Sequence, residues 1–154
     1  MIGRDAILTE WLQARDALRG ARTLISTNDA NGSLSRSYYA ILHAARTALM
    51  TQGVTSKSHR GLKGTFGNYL VRPGHFEREW GTILSSASET RLEADYGSSG
   101  RLPLQDAEDQ ADQASRFIDR TRTYLKTLEF TNHELDAVPD AGDGTAGARD
   151  SGAE

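Results

Sequence analysis

Apolar residues recur every three or four positions over five stretches of the chain, which is the spacing of amphipathic helices. The stretches run from about residue 7 to 25, 34 to 49, 62 to 71, 76 to 94 and 104 to 128. Segments containing Asn, Gly or Pro separate them, and no alternating run of β-branched residues predicts a strand. Because most connections are short, the pattern predicts an all-α fold, an antiparallel up-and-down bundle of about five helices.

The length of 154 residues suits one domain with a hydrophobic core. After about residue 130 the sequence turns to Gly, Ala and Asp, with little that is apolar to bury. Such a segment does not offset the entropy lost on ordering it. We therefore predict a helical bundle at residues 1–130 and a disordered acidic tail at residues 131–154.

Composition excludes several kinds of chemistry. The chain has no cysteine, which rules out disulfides, thiolate zinc sites and cysteine nucleophiles. Its four histidines lack the two- or four-residue spacing of a metal site, so we expect no metal and no cofactor. No apolar run approaches the ~20 residues of a membrane span. Asp5 and Glu10 interrupt the N-terminal region where a signal peptide would be apolar, which indicates a cytoplasmic protein.

The formal net charge of −3 is unevenly distributed. No acidic residue occurs between Asp29 and Glu77, whereas six lysines and arginines do. This basic middle segment suits an anionic partner such as RNA or a nucleotide. The alternative is that acidic residues of neighbouring helices neutralise it in the folded protein, and composition does not decide between the two.

Candidate chemistry concentrates at residues 35–45, SRSYYAILHAA. Arg36 and His43 are seven residues apart, so they return to nearly the same helix face. Histidine transfers protons near neutral pH, and arginine stabilises the negative charge of a phosphorane. Together they suggest metal-independent RNA cleavage. About one chance match to this spacing is expected in a chain so rich in arginine, so the pattern alone favours a solvated arginine and a packed histidine.

Five further residues are candidates for substrate binding or for supporting the pair. Tyr39 lies on the same side of the helix as His43, where it could contact a base or ribose. Arg91 falls on the apolar stripe of the fourth helix, with Asp95 four residues later as its partner. This ion pair is either structural or orients a phosphate ligand. His59 and Arg60 begin the third helix, where backbone N–H groups favour anions, although simple solvent exposure explains them equally well.

Three blocks give the chain a family resemblance. SRSYYAILHAARTALMTQG, KSHRGLKGTFGNYLV and RLEADYG resemble, in order and spacing, the signature stretches of bacterial HEPN-domain proteins, over about residues 33–128. The resemblance implies a dimeric bundle of four to five helices. It also implies a metal-independent endoribonuclease that acts as a toxin or in phage defence, often beside a nucleotidyltransferase antitoxin. Arg36 and His43 match the family's motif of an arginine, four to six residues, and a histidine.

The sequence departs from the family pattern at two positions. The residue after the motif arginine is often a polar amide or an acid, and here it is Ser37. In some toxins, a tyrosine two positions beyond the histidine accepts AMP from the partner, and here that position is Ala45. Other members of the family do not cleave RNA. The alternative to the nuclease is therefore a non-catalytic module that binds nucleotide or supports a nucleotidyltransferase.

Overall fold

The protein is a bundle built around one central helix. A computed structural model of the chain describes residues 1–56, 58–96 and 100–139, without the side chains of residues 93–96. The helices are α1 (Arg4–Ser26), α2 (Ala30–Met50), α3 (His59–Phe66), α4 (Arg78–Tyr96), α5 (Leu104–Thr127) and α6 (Asn132–Asp136). A π-helical turn, Gly67–Val71, continues α3. These described ranges contain no strand, so the all-α prediction is confirmed.

A tight turn makes α1 and α2 antiparallel neighbours. Asn28 ends α1 with a φ of 66°, a left-handed conformation that asparagine tolerates. Asp29 then caps α2 by accepting a hydrogen bond from the Gly32 N–H at 2.9 Å. A Cβ atom on Gly32 would lie 2.5 Å from the Asp29 carboxylate, so another residue here would force this carboxylate to shift. Beyond the turn, the Ser33 hydroxyl donates to the carbonyl of Ala21 on α1 at 2.8 Å.

Helix α2 is the centre of the bundle. It packs against α1, α4 and α5 and also contacts α3. Thirteen of its 21 residues are buried, among them several alanines whose small side chains let the neighbouring helices approach closely. Large side chains from the surrounding elements fill the core, including Trp11, Phe66, Phe76 and Phe117. Few side chains of α2 therefore reach solvent, and the functional candidates are among them.

The ordered fold continues past residue 130, where the sequence predicted a disordered tail. Thr131 and Glu134 form a capping box, in which each side chain bonds the backbone N–H of the other residue, and this starts α6. Leu135 of this helix is fully buried, and its carbonyl accepts the indole N–H of Trp11 at 2.9 Å. The few apolar residues of the predicted tail thus include one leucine that packs in the core. The rest of the predicted tail, residues 140–154, lies outside the described residues.

Within the described part of the chain, no helix is both long and apolar enough to cross a membrane.

Candidate active site

Helix α2 presents one polar stripe. Among its exposed or partly exposed residues, Arg36, Tyr39, His43 and Arg46 follow one another at spacings of three, four and three. Such spacing places side chains along one helix face. Since most of the other residues of the helix are buried, the bundle brings the predicted pair and Tyr39 to a common surface strip. We call these four residues the α2 stripe.

His43 is held by a carboxylate of the neighbouring helix. Nδ1 of its ring lies 2.7 Å from Oε1 of Glu10 on α1, and both side chains are about one-fifth exposed. The carboxylate can only accept, so Nδ1 carries the proton. Within the described residues, Nε2 has no hydrogen-bond partner. The pair therefore fixes the orientation of the imidazole and leaves its second nitrogen available for proton transfer.

Arg36 lies two helical turns from His43, roughly 10 Å along the axis. It is exposed and crosses Gly20 of α1, where a Cβ atom on the glycine would come within 3.2 Å of the arginine Nε. No hydrogen bond, ion pair or ring contact joins Arg36 to His43 in the described structure. The two residues share a face, as the spacing predicted, but each has its own neighbour on α1.

Aromatic rings connect α2 to α3 and α4. The Tyr39 ring centroid lies 6.4 Å from that of His43 and 6.2 Å from that of His59. The Tyr38 hydroxyl is 3.0 Å from Nδ1 of His59. The Arg91 guanidinium lies 5.1 Å from the ring centre of Tyr38 and 5.9 Å from that of Tyr39. The structure thus brings together four of the predicted candidates from three helices, which are Tyr39, His43, His59 and Arg91.

Two pKa values in this cluster depart from their ordinary range. Partial burial lowers the pKa of His59, and the positive charges of Arg46 and Arg91 lower it further. Burial raises the pKa of Tyr38, with the charge of Arg91 opposing this effect. Near neutral pH, His59 is therefore a neutral imidazole and Tyr38 a phenol that carries its proton.

A cavity of about 290 Å³ opens beside this cluster. Its walls carry the cations Arg60, Lys63 and Arg91, together with His59. Arg60 and Lys63 are exposed, and Glu89 is the one acidic residue among the lining residues. The composition of the walls suits a phosphate-bearing ligand.

The described part of the basic middle segment forms no ion pairs. Lys57 lies outside the described residues. In the part of the chain that the structure describes, none of the other five basic residues of this segment forms an ion pair; they are Arg36, Arg46, Arg60, Lys63 and Arg72. Of the two alternatives left open by composition, the structure therefore favours a cationic surface.

Beside His43, sequence reasoning missed two residues. Arg46 completes the α2 stripe, and its buried Nε has no hydrogen-bond partner among the described residues. Its position, three residues after His43 and seven after Tyr39, was a usable signal. Glu10 is 33 residues from His43, and nothing local in the sequence connects them.

The remaining candidate, Asp95, belongs to α4 by its backbone, but its side chain lies outside the described residues. The proposed pairing with Arg91 thus stays a prediction. Among the described residues, no group of three or more His, Cys, Asp or Glu side chains is placed to hold a metal ion.

Comparison with known proteins places the chain in a family. The HEPN domain profile matches residues 9–127, so the chain belongs to the HEPN-domain family. "Putative toxin MJ0605" of Methanocaldococcus jannaschii is 31% identical over 115 residues, covering 75% of this chain and 85% of that protein. "UPF0332 protein glr0978" of Gloeobacter violaceus is 33% identical over 73% of this chain and 90% of its own length. "Putative toxin MJ0142", also from Methanocaldococcus jannaschii, is 22% identical over 80% and 84%.

Proposed function

We propose that this protein is a cytoplasmic, metal-independent endoribonuclease that acts as the toxin of a toxin–antitoxin or phage-defence system. The observation that carries the proposal is the Glu10–His43 pair, an oriented imidazole between Arg36 and Arg46 on one helix face. Neither arginine forms an ion pair within the described structure, so both are available to an anionic substrate. The names of the two Methanocaldococcus relatives support a toxin role.

In this reaction the 2′-hydroxyl of RNA attacks the adjacent phosphorus, and the 5′-oxygen leaves. Nε2 of His43 would exchange a proton with one of these oxygens while Glu10 keeps the ring in place. Arg36 and Arg46 would stabilise the charge of the phosphorane, since a guanidinium stays charged and pairs with two oxygens. Tyr39 would contact a base or ribose, and Arg91 would shape the pocket, with Asp95 orienting it.

The proposal includes a homodimer, because a second protomer would contribute a second Arg36–His43 pair to the same RNA. It also includes a nucleotidyltransferase antitoxin as partner. Control by transfer of AMP to the position two residues beyond His43 is not part of it, since Ala45 has no hydroxyl and is fully buried.

The decisive experiment is cleavage of RNA by the purified protein in excess EDTA. We expect cleavage, with 2′,3′-cyclic phosphate ends, and a loss of at least about 100-fold in His43→Ala. His75→Ala is the matched control, because the ring of this histidine lies 5.7 Å from Tyr124, among residues that the proposal does not use. Expression should arrest growth in the parent and in His75→Ala but not in His43→Ala. Equal cleavage by the parent and His43→Ala would contradict the assigned role.

A second candidate function has its own observation in favour. The cavity of about 290 Å³ with Arg60, Lys63 and Arg91 in its walls could hold a mononucleotide without any cleavage. The protein would then support a partner nucleotidyltransferase. It would bind AMP or ATP in calorimetry, co-purify with that partner, and leave RNA intact in the EDTA assay.

A further inference from the structure

Transesterification needs both a base and an acid, and a single imidazole is one of the two at any moment. Of the three other histidines, His59 is the one whose ring contacts the same tyrosine as His43. It lies at the start of α3 and is exposed, so a substrate can reach it. His75 instead contacts Tyr124, and His133 belongs to α6.

We propose that His59 is the second proton-transfer group of the site and that it works with His43 of the same protomer. This inference rests on the proposed nuclease function. The two imidazole rings lie on either side of one residue, since the ring centroids of His43 and His59 are 6.4 Å and 6.2 Å from that of Tyr39.

The surroundings of the two histidines differ in the way that an acid and a base require. The carboxylate of Glu10 lies 2.7 Å from Nδ1 of His43, where it offsets the positive charge that the ring carries when it acts as the acid. Positive charges dominate around His59, and its pKa is lowered by burial and by those charges, which favours the neutral base. The titratable and charged groups around His59 are Tyr38, Tyr39, His43 and Arg46 on α2, Arg91 and Glu89 on α4, and Arg60 and Lys63 on α3.

The contact with Tyr38 is compatible with the tautomer of His59 that a base requires. When Nδ1–H donates to the Tyr38 oxygen at 3.0 Å, the lone pair of Nε2 is left for the substrate. Tyr38 is thus a positioning residue for His59, as Glu10 is for His43.

The proton balance of the step is complete without any co-reactant. Nε2 of His59 accepts the proton of the 2′-hydroxyl, and this oxygen forms a bond to phosphorus. The bond from phosphorus to the 5′-oxygen breaks, and the leaving oxygen takes a proton from Nε2 of His43. One proton has passed from the RNA to His59 and one from His43 to the RNA, and exchange with water restores both rings.

The test measures kcat/KM for an RNA oligonucleotide between about pH 5 and 9 for the parent, His59→Ala, His59→Gln and the control His75→Ala. We expect a bell-shaped profile in the parent and in His75→Ala. Both His59 variants should lose at least about 100-fold in rate and also the rising limb at low pH. Added imidazole should restore part of the rate in His59→Ala, because it supplies the missing base, and melting curves should show that both variants fold.

Three results would overturn the inference. Rates of the His59 variants within about threefold of the parent would leave the nuclease in place and remove His59 from its chemistry. A large loss of rate with the rising limb retained and no effect of imidazole would make His59 a binding residue. If the parent itself does not cleave RNA, the proposed function fails and this inference fails with it.

Discussion

Glu10 and His43 lie on adjacent antiparallel helices, with 2.7 Å between Oε1 of the carboxylate and Nδ1 of the ring. Each side chain is about one-fifth exposed, so water competes weakly for this hydrogen bond. The carboxylate fixes both the ring orientation and the tautomer, and it stabilises a positive charge on the ring. Proton transfer by His43 should therefore depend on Glu10 even though Glu10 does not touch the RNA.

We expect Glu10→Gln to lower kcat for RNA cleavage by about 10- to 100-fold with KM nearly unchanged. The amide keeps the shape of the side chain but removes its negative charge, so the ring loses a charge-assisted hydrogen bond and is held less firmly. Glu108→Gln is the matched control, since Glu108 is an exposed residue of α5. A change in KM alone would assign Glu10 to substrate binding instead of positioning.

Because Gly20 contacts Arg36, we expect Gly20→Ala to raise the unfolding free energy and to lower the affinity for RNA. Alanine at position 20 should stabilise the protein by about 0.5–1 kcal/mol, because glycine is a poor residue for a helix interior. Its Cβ atom would lie 3.2 Å from Nε of Arg36, and this exposed side chain can move away. Moving Arg36 should weaken RNA binding about threefold to tenfold, which corresponds to a typical charge-assisted contact.

Gly64→Ala provides the comparison for this prediction. Gly64 lies within α3, and a Cβ atom there would meet no atom within 4 Å. The same gain in unfolding free energy is expected, with unchanged RNA affinity. Chemical denaturation and a filter-binding assay measure the two quantities. Equal RNA affinities of the parent and Gly20→Ala would argue that Arg36 does not contact RNA.

Local patterns gave most of the helices but only part of the site. The spacing of Arg36, Tyr39 and His43 depends on one helix alone, so the shared face was predictable. The contacts of His43 with Glu10 and of Tyr38 with His59 depend on how three helices pack, which no spacing within one helix encodes.

At the C-terminal end of the described fold, the sequence-based prediction missed helix α6 for a different reason. Composition over residues 131–154 is that of a disordered chain, and averaging over that window hid a short helix at its start. Thr131 and Glu134 carry the sequence pattern of a capping box, a local signal that could have revealed α6. That Leu135 is a core residue could not be seen, because its burial depends on Trp11.

Leu135→Ala tests whether α6 belongs to the folded domain. Leu135 is fully buried, and truncating a buried leucine typically costs about 2–5 kcal/mol of unfolding free energy. We expect a loss in this range in urea denaturation, with the slope of the transition unchanged. Val138→Ala is the control, since Val138 is 67% exposed and should change stability by less than about 0.5 kcal/mol. Similar midpoints for the two variants would mean that α6 adds no stability.

Two carboxylates, exposed Glu77 and partly exposed Glu134, make the stability depend on pH. The Arg120 hydrogen bond lowers the pKa of Glu77 from 4.5 to about 2, and the Arg4 hydrogen bond does the same for Glu134. In each case the unfolded chain binds its proton at higher pH than the folded chain does. The stabilisation is therefore complete above the unfolded pKa and is lost as the pH falls from about 4.5 towards 2.

Unfolding free energy should thus decrease between about pH 5 and 2, and the double variant Glu77→Gln, Glu134→Gln should show a flatter dependence over that range. The variant should be less stable than the parent at pH 7 and closer to it at about pH 2.5. Glu108→Gln should retain the slope of the parent. Identical slopes in the parent and the double variant would show that neither hydrogen bond persists in solution.

Ser37, the residue after the motif arginine, faces the protein interior. It is fully buried, and its hydroxyl has no hydrogen-bond partner among the described residues. A buried hydroxyl without a partner costs about 1–3 kcal/mol, so Ser37→Ala should raise the unfolding free energy by about 1 kcal/mol. Since the hydroxyl does not reach the α2 stripe, RNA cleavage should stay within about twofold of the parent. Ser35→Ala, at a partly exposed position one residue before Arg36, should change stability little. A destabilised Ser37→Ala would mean that this hydroxyl has a partner in solution, such as a buried water.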